Sequence, residues 1–530
     1  MNPILGKRGA VVAPNTFAAQ AGLEILREGG NAIEATIAVA STLAVVYPHM
    51  TGIGGDGFWL IHSPGKDIQA IDACGAAGSE VRAELYANSP SIPWRGPLAA
   101  NTVAGTLSGW GLAYQHSQKT MGGKIPFARL LESAIEYASN GFPVTHSQVQ
   151  NTRAKAAELS MQSGFAQTFL VNGSQVPAYG ALHRFPKLAQ TLKQLACAGA
   201  DDFYTGDLAQ QIAKDLDQVG SPLKLMDLQN HQALIKPPLQ LQLSSAQLFN
   251  TAPPTQGLAS LLILGIYEKI KQPHWSADNV QGVHGLVEAT KQAFKIRDRY
   301  VSDPNAMQVN FNDLMSDTLI SNLAKAIDID HASPWPAPSS EGDTTWLGVI
   351  DAQGRAVSMI QSIYFEFGSG VVLPETGIWW QNRGCSFDLR PDQLRSLAPG
   401  RKPFHTLNPA MAKFSDGRLL VYGTMGGEGQ PQTQAAIFSR YAWDGHNPRS
   451  AVAAPRWLLG KTWAEQSTTL KLESRFGDDV VKGLKALGHP VEMVSDFDER
   501  LGHAGALVLH PSGFIEGAED PRSDGCVAAW

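Results

Sequence analysis

The residues best suited to chemistry in this sequence are two neighbouring threonines, Thr344 and Thr345, which follow Asp343. Taken alone, a threonine pair that opens a strand is typical of β structure and nothing more. The surrounding sequence favours a second interpretation. Residues 331–343 contain three prolines and no hydrophobic periodicity, which predicts an exposed linker. The residues after the pair alternate in the manner of a β-strand, so a linker ends where a strand begins.

An N-terminal threonine nucleophile requires this arrangement. Its hydroxyl needs a base, and an α-amino group on the same residue, with a pKa of about 7.7–8.0, accepts a proton near neutral pH. That amine exists only after the peptide bond between Asp343 and Thr344 is cut. The strand would hold the new terminus, and the linker would let the other end leave. Thr345 is predicted to be structural, because successive strand residues face opposite sides.

Two glycine runs differ in what they predict. Gly426 and Gly427 follow a predicted strand, and their backbone N–H groups could stabilise a developing oxyanion because no side chain blocks the approach. The run at 52–57 contains a G-x-G but precedes a strand, whereas a dinucleotide site has the glycines between a strand and a helix. We therefore interpret it as a turn packed too tightly for side chains.

Hydrophobic periodicity predicts α/β structure in the first hundred residues, a mostly helical middle third and a β-rich last two hundred residues, which together make an α+β protein. The predicted helices span 16–27, 32–46, 127–139, 188–198, 208–216, 257–270 and 280–300. The predicted strands include a hairpin, 346–350 with 356–361 joined through 351–354, and a later strand at 418–422.

Composition excludes several classes of protein. The 530 residues carry a net charge of −6 and no Lys/Arg run, so no nucleic-acid partner is expected. The most apolar stretch, 32–46, is too short to span a bilayer, so no membrane association is expected. The four cysteines are widely spaced, which argues against a zinc site and a disulfide framework. The start has no signal-peptide core, and we expect a cytoplasmic protein without metal or cofactor.

Several ordered motifs then resemble one family, the γ-glutamyltranspeptidases, over nearly the whole chain. The segments that carry the resemblance are 52–58, 99–109, 253–258, 288–294, Asp303-Pro304, Asp343-Thr344-Thr345, Gly426-Gly427, Ala454-Pro455-Arg456 and Asp520-Pro521-Arg522. The resemblance implies a four-layer αββα sandwich of the N-terminal nucleophile hydrolases, made as a precursor. Self-cleavage between Asp343 and Thr344 would give a large subunit, 1–343, and a small subunit, 344–530, intertwined in one globular unit. The partners implied are a small acyl or γ-glutamyl amide and the other cleavage product, with a dimer of such heterodimers left open.

In the mechanism that the resemblance implies, Thr344 is the nucleophile and its amine is the base. Gly426 and Gly427 form the oxyanion hole, and Ser362 holds the nucleophile, with plain strand packing as the alternative for Ser362. The acyl group of the substrate would pass from the acyl-enzyme to water or to an acceptor amine.

The substrate pocket departs from the γ-glutamyl pattern. Cys74 occupies the position of the family's carboxylate-binding arginine, Tyr364 that of an asparagine, and Ser386 that of an acidic residue. His405-Thr406 replaces a Ser-Ser pair, and this pattern is similar to the cephalosporin-acylase branch. Arg383 and His405 are the candidates to compensate for the lost contacts, with a purely structural role as an equal alternative for each. An acylase without γ-glutamyl activity and a non-catalytic binding protein remain as alternatives.

Overall fold

A computed structural model describes residues 2–335, 343–460 and 467–530, and the strands lie within these ranges. In chain order they are β1 (Ile4–Gly6), β2 (Gly9–Ala13), β3 (Asp56–His62), β4 (Gln69–Ala73), β5 (Phe142–Pro143), β6 (Leu182–His183), β7 (Leu234–Lys236), β8 (Leu239–Gln242), β9 (Ala246–Asn250), β10 (Asp343–Asp351), β11 (Ala356–Tyr364), β12 (Ala410–Phe414), β13 (Leu419–Thr424), β14 (Trp457–Leu459), β15 (Leu470–Glu473), β16 (Val491–Val494), β17 (Ala504–Leu509), β18 (Ile515–Glu519) and β19 (Cys526–Ala529).

The α-helices of the same residues lie mostly before β10. They are α1 (Thr16–Arg27), α2 (Ala32–Val46), α3 (Thr106–Thr120), α4 (Phe127–Leu130), α5 (Glu132–Asn140), α6 (His146–Leu159), α7 (Phe165–Phe169), α8 (Pro186–Ala198), α9 (Asp202–Thr205), α10 (Asp207–Val219), α11 (Leu225–Gln229), α12 (Gly257–Ile270), α13 (Val280–Tyr300), α14 (Asp317–Lys325), α15 (Gln430–Ala442), α16 (Pro448–Ala453) and α17 (Asp478–Ala486).

Two seven-stranded sheets form the centre of the fold. One has the order β1-β18-β17-β13-β12-β9-β8 and the other β19-β2-β10-β11-β3-β4-β7, with antiparallel neighbours throughout both. The strand that begins at Asp343 therefore lies inside a sheet, between β2 and β11.

Strand alternation divides most of the interior into three large cores and the protein into four layers. Successive side chains of a strand face opposite sides, and here both sides are buried. On β10, Trp346 faces a core between the two sheets, whereas Leu347 faces a core that contains α1 and α2. On β13, Val421 faces the core between the sheets, and Tyr422 packs with residues of α12, α13 and α15. The fold is thus the predicted αββα sandwich.

The helix predictions at 16–27, 32–46, 257–270 and 280–300 are confirmed, because each spacing coincides with an observed helix. The single helix predicted at 127–139 is wrong. Leu131 separates α4 from α5, and its N–H bonds to the carbonyl of Ala128 in a tight turn. Both Leu130 and Leu131 are buried there, so packing replaces a regular helical turn.

The predicted hairpin is longer than its sequence pattern, since β10 and β11 have nine residues each. Gly354 adopts φ +74° in the connecting turn, a conformation that favours glycine. The Asp351 carboxylate accepts hydrogen bonds from Arg355 Nε at 2.6 Å and from the Ala32 N–H at 2.9 Å. The hairpin is thereby fixed to the start of α2.

The glycine run before β3 is a tightly packed turn, as the sequence predicts. A Cβ atom on Gly54 would lie 2.2 Å from the Trp379 carbonyl oxygen, and one on Gly55 would lie 2.1 Å from the Ser362 carbonyl oxygen. The turn therefore presses against both β11 and the segment around Trp379. Within the described ranges, no disulfide joins Cys74, Cys197, Cys385 and Cys526, and no helix has the length and apolar character needed to cross a bilayer.

We expect Gly54→Ala to destabilise the protein by roughly 1–3 kcal/mol, because the contact is with backbone that must shift to admit a methyl group. Urea unfolding followed by tryptophan fluorescence measures the loss as a lower midpoint.

Gly57→Ala is the matched control for this substitution. Its Cβ would meet only ordinary contacts, the nearest being Met359 Cε at 3.4 Å. An unchanged midpoint in Gly54→Ala, or an equal loss in both variants, would contradict the interpretation of this turn.

Candidate active site

Thr344 lies at an irregularity in the pairing of β10 with β11. Asp343 pairs with Tyr364 and Thr345 pairs with Gln361, so Thr344 faces two residues of β11, one of which is Ser362. Thr344 is fully buried, and Gln430 Nε2 donates to its Oγ1 at 3.4 Å. Such a bulge aims a side chain in a direction that regular pairing would not. The hydroxyl of Thr345 instead donates to the Gln361 carbonyl at 3.1 Å, within the sheet.

The Gly426-Gly427 turn connects β13 to the helix that carries Gln430. Gly426 has φ +110° and Gly427 has φ +52°, both in the left-handed region. Gln256 Nε2 donates to the Gly427 carbonyl and to the Thr406 carbonyl, each at 2.7 Å. Because Gln430 follows the turn and reaches Thr344, the structure brings the predicted nucleophile to the same end of the sheets as the predicted oxyanion residues.

Arg383 is a buried cation with unused hydrogen-bond donors. Its guanidinium lies 3.6 Å above the centre of the Tyr364 ring, and its Nη1 donates to Thr406 Oγ1 at 3.3 Å. In the described parts of the chain, Nε and Nη2 of Arg383 have no acceptor. Burial lowers the pKa of Arg383 to about 10, so the side chain stays charged at neutral pH. A buried charge of this kind lowers stability unless an anion pairs with it.

A carboxyl–imidazole pair, which the sequence analysis missed, lies beside Arg383. Asp56 Oδ2 and His405 Nε2 are 3.0 Å apart and both residues are fully buried. The N–H groups of Gly75 and Gly105 donate to Asp56 Oδ1, each at 3.0 Å. The available signal was an acidic residue inside an otherwise apolar glycine run, which we interpreted as packing alone.

The pair has unusual protonation equilibria. Burial raises the pKa of Asp56 to about 7, against the opposing effects of the Gly75 N–H and the Arg383 charge. Burial lowers the pKa of His405 well below its usual value, and Arg383 and Lys402 add to the effect. Near pH 7 the pair therefore carries at most one negative charge, on Asp56, and His405 is neutral.

Cys74, which replaces the family's arginine, belongs to a neighbouring ionic group. Its thiol donates to Asp72 Oδ1 at 3.2 Å. Asp72 Oδ2 in turn accepts from Lys236 at 2.6 Å and from Lys402 at 2.9 Å. Two lysines that the sequence analysis did not single out thus neutralise the carboxylate next to Cys74.

The remaining predicted residues have defined positions around this cluster. Tyr364 is buried with φ +82°, and its N–H donates to Ser362 Oγ at 2.8 Å. A tyrosine in the left-handed region is strained, which is a common feature of functional sites. Ser386 is half-buried, and its hydroxyl donates to the Phe404 carbonyl at 3.1 Å, next to His405. The roles assigned to these residues stay predictions.

This architecture, with two facing antiparallel sheets between helical layers, defines the fold of the N-terminal nucleophile hydrolases. The γ-glutamyltranspeptidase profile matches residues 18–530, and the chain belongs to that family.

Its relatives in the family are hydrolases and acylases, several with proenzyme names. It is 53% identical to the oxamate amidohydrolase proenzyme of Klebsiella pneumoniae, over 98% of both chains. It is 38% identical to the glutathione hydrolase-like YwrD proenzyme of Bacillus subtilis, over 99% of both. The structure of a cephalosporin acylase from Bacillus halodurans superimposes with a TM-score of 0.91 at 32% identity, and covers 100% of this chain and 97% of that one.

The Asp56 environment predicts a specific pH dependence of stability. An unfolded aspartic acid ionises near pH 3.9, whereas Asp56 stays protonated in the native protein up to about pH 7. Between these values the native state binds more protons, so its free energy of unfolding falls as the pH rises. The fall in the free energy of unfolding amounts to roughly 4 kcal/mol between pH 3.9 and about pH 7. We expect Asp56→Asn to abolish it, as measured by urea unfolding at a series of pH values.

Asp72→Asn supplies the control. Burial opposes ionisation of Asp72, but Lys402 and Lys236 lower its pKa to about 2, so it is ionised in both states above pH 5. The Asp72→Asn substitution must leave the slope of the free energy of unfolding against pH unchanged between pH 5 and 7. Parallel profiles for the wild type and Asp56→Asn would show that Asp56 is ionised throughout.

Proposed function

We propose that this protein is a self-processing amidohydrolase that uses Thr344 to cleave a small amide with a carboxylate next to the scissile carbonyl, of the oxamate type. The observation that carries this proposal is the buried Arg383, whose Nε and Nη2 have no acceptor among the described residues. A guanidinium binds a carboxylate through two parallel hydrogen bonds. The name of the Klebsiella relative supports the same class of substrate.

The first step proposed is cleavage of the chain. Thr344 Oγ attacks the Asp343 carbonyl carbon, the C–N bond breaks, and the acyl group moves from nitrogen to oxygen as an ester. Water then hydrolyses the ester to the Asp343 carboxyl group and the free hydroxyl of Thr344. The products are residues 1–343 and 344–530, and the second begins with a free amine.

The same hydroxyl then attacks the substrate amide. The α-amine of Thr344 accepts the hydroxyl proton and transfers it to the departing ammonia, and the N–H groups of Gly426 and Gly427 stabilise the oxyanion. Ser362 and Gln430 orient the hydroxyl. Water attacks the resulting ester, so an oxamate-type amide yields the diacid and ammonia.

Arg383 fixes the substrate carboxylate in this scheme. Its orientation depends on Tyr364, on whose ring it stacks, and on Thr406, which accepts from Nη1. The Asp56–His405 pair limits the negative charge near that carboxylate, since Asp56 has a pKa of about 7. Ser386 borders the same region through Phe404.

A γ-glutamyl amide is the second candidate substrate, favoured by the family match and by the name of the Bacillus subtilis relative. Such a substrate carries an α-amino group as well as a carboxylate. Ser386 offers no charge for that ammonium, and the Tyr364 ring is already covered by the Arg383 guanidinium. We therefore place the oxamate-type amide first. A non-catalytic binding protein is the third possibility, and failure of both cleavage reactions would favour it.

Self-processing predicts two chains of roughly 37 and 20 kDa, the 56.8 kDa mass divided in proportion to residue number. Thr344→Ala removes the nucleophile, so it should stay a single inactive chain on denaturing gels and by mass spectrometry. N-terminal sequencing of the wild-type small chain should begin Thr-Thr-Trp.

Thr345→Ser is the control, because it keeps the hydroxyl that bonds to the Gln361 carbonyl. It should process like the wild type. An active wild-type protein that remains one chain would disprove the Thr344 mechanism.

Carboxylate binding by Arg383 predicts a selective defect. Arg383→Gln loses both charge-assisted bonds, so kcat/KM for oxamate should fall about 100-fold or more. Oxamide, which has an amide in place of the carboxylate, should be a poor substrate for the wild type and should lose little further in the variant. Ammonia release by the processed enzyme measures both reactions.

Arg383→Lys tests the geometry of the contact, because a lysine keeps the charge but not the planar pair of donors. An intermediate loss is expected. Equal losses on oxamate and oxamide would mean that Arg383 supports the fold of the site rather than binding the carboxylate. Turnover of a γ-glutamyl anilide but not of oxamate would favour the second candidate.

A further inference from the structure

A buried group of potential metal ligands lies outside the site described above. His284 and Glu288 are one turn apart on α13, and His489 follows α17. Each side chain offers one ligand atom, and these three atoms lie within 4.8 Å of one another. Their exposed fractions are 1%, 0% and 4%, so bulk water does not satisfy them.

Hydrogen bonding fixes the lone pair of His284. Its Nε2 lies 3.0 Å from the carbonyl oxygen of Asp328. A carbonyl oxygen only accepts, so Nε2 carries the hydrogen and Nδ1 has a free lone pair. That Nδ1 lies 2.8 Å from Nε2 of His489. A ligating histidine usually donates its other ring N–H to a carbonyl or carboxylate in this manner.

Glu288 has one engaged and one unengaged oxygen. Oε1 accepts from Lys291 Nζ at 2.6 Å and from the Ser333 N–H at 3.2 Å. Among the described residues, Oε2 of Glu288 and Nδ1 of His489 have no hydrogen-bond partner. A buried carboxylate oxygen without a donor carries a substantial desolvation cost.

We propose that His284 Nδ1, His489 Nε2 and Glu288 Oε2 bind one divalent transition metal ion of the Zn²⁺ class. Two imidazoles and a carboxylate are ligands that suit Zn²⁺, whereas Mg²⁺ and Ca²⁺ prefer oxygen alone. Tetrahedral bonds of about 2.0–2.1 Å place ligand atoms about 3.3 Å apart. The two ring nitrogens need to separate by about half an ångström from 2.8 Å, which small side-chain rotations allow. Water or hydroxide takes the fourth position.

The Lys291 ammonium is compatible with this ion, because it uses the other oxygen of Glu288 and also donates to the Ser333 carbonyl at 2.6 Å. Binding sets the tautomer of His489, whose Nδ1 then carries the hydrogen. Without the ion, His489 Nε2–H donates to His284 Nδ1, and Glu288 Oε2 has no donor among the described residues.

The position of the site suggests what the ion does. His284 and Glu288 precede Thr344 and His489 follows it, so the metal joins the two parts of the chain. The group also contacts the sequence shortly before Thr344, because His284 bonds to the Asp328 carbonyl and Glu288 accepts from the Ser333 N–H. If the chain is processed as proposed, the ion attaches the end of the large subunit to the small one. This consequence rests on the proposed function, whereas metal binding does not.

The test uses the full-length protein in two forms, the wild type and the unprocessed Thr344→Ala variant. After treatment with a chelator and reloading with Zn²⁺, elemental analysis should find one Zn²⁺ per 530-residue molecule in both forms, whether that molecule is one chain or two. Loading with Co²⁺ should give the intense visible absorption of a tetrahedral site. Binding in Thr344→Ala separates the metal site from the processing reaction, since it must survive even if the Thr344 mechanism is wrong.

His489→Asn removes one ligand and should weaken Zn²⁺ binding at least 100-fold by competition with a chromophoric chelator. His510→Asn is the control, because His510 pairs with Glu516 at 2.9 Å away from this group and should bind as the wild type does. Retention of the ion in His489→Asn would overturn the proposal, since the metal would then lie elsewhere. If His489→Asn does not fold, absence of the Co²⁺ absorption from the wild type would overturn it equally.

Discussion

The backbone pairing of β10 is the constraint on which the site depends. This strand is hydrogen-bonded on one side to β11 and on the other to β2, and both of its faces are buried. Its first residues pair with β11, and residues 348–351 pair with β2, so the start of the strand belongs to the sheet and not to a loop. Cleavage before Thr344 would leave the new terminus anchored by the rest of the strand, so the amine and the hydroxyl would stay in one place. A nucleophile held in this way needs no reordering before reaction.

The second feature is a set of buried charges that do not fully balance. Asp72 is matched by two lysines, whereas the carboxyl group that faces Arg383, that of Asp56, has a raised pKa. A fully paired arginine, or an uncharged residue in its place, would make the protein more stable at this position. Two donors of Arg383 have no acceptor among the described residues, and the tyrosine on which it stacks is strained. The function proposed above assigns these donors to the carboxylate of a substrate. Proteins accept such local costs where they bind or react.

The two sheets also explain why cleavage at this point would not separate the protein. β9 comes from the sequence before Thr344 and pairs with β12 from the sequence after it, and β1 pairs with β18 in the same way. In the other sheet, β2 and β3 flank β10 and β11. Every layer therefore contains hydrogen bonds or packing between the two parts. The same interleaving places His489 against His284 and Glu288.

The sequence by itself determined the elements whose signals are local. Helices with clear periodicity, such as 257–270 and 280–300, and the hairpin after Thr344 follow from spacing and turn residues, and ordered motifs identified the fold and the family. The break at Leu131 was not predictable, because packing of Leu130 and Leu131 overrides the helical pattern.

Only the tertiary structure decided which polar residues meet. Asp56 and His405 are separated by 349 positions, and no spacing rule relates them. The sequence named Arg383 as a candidate, but its burial and the two donors without an acceptor among the described residues depend on its surroundings in the fold. The group formed by His284, Glu288 and His489 was likewise not predicted, because the sequence argument against a zinc site considered only the cysteines. Contacts between distant residues depend on how the layers assemble, and local sequence does not encode them residue by residue.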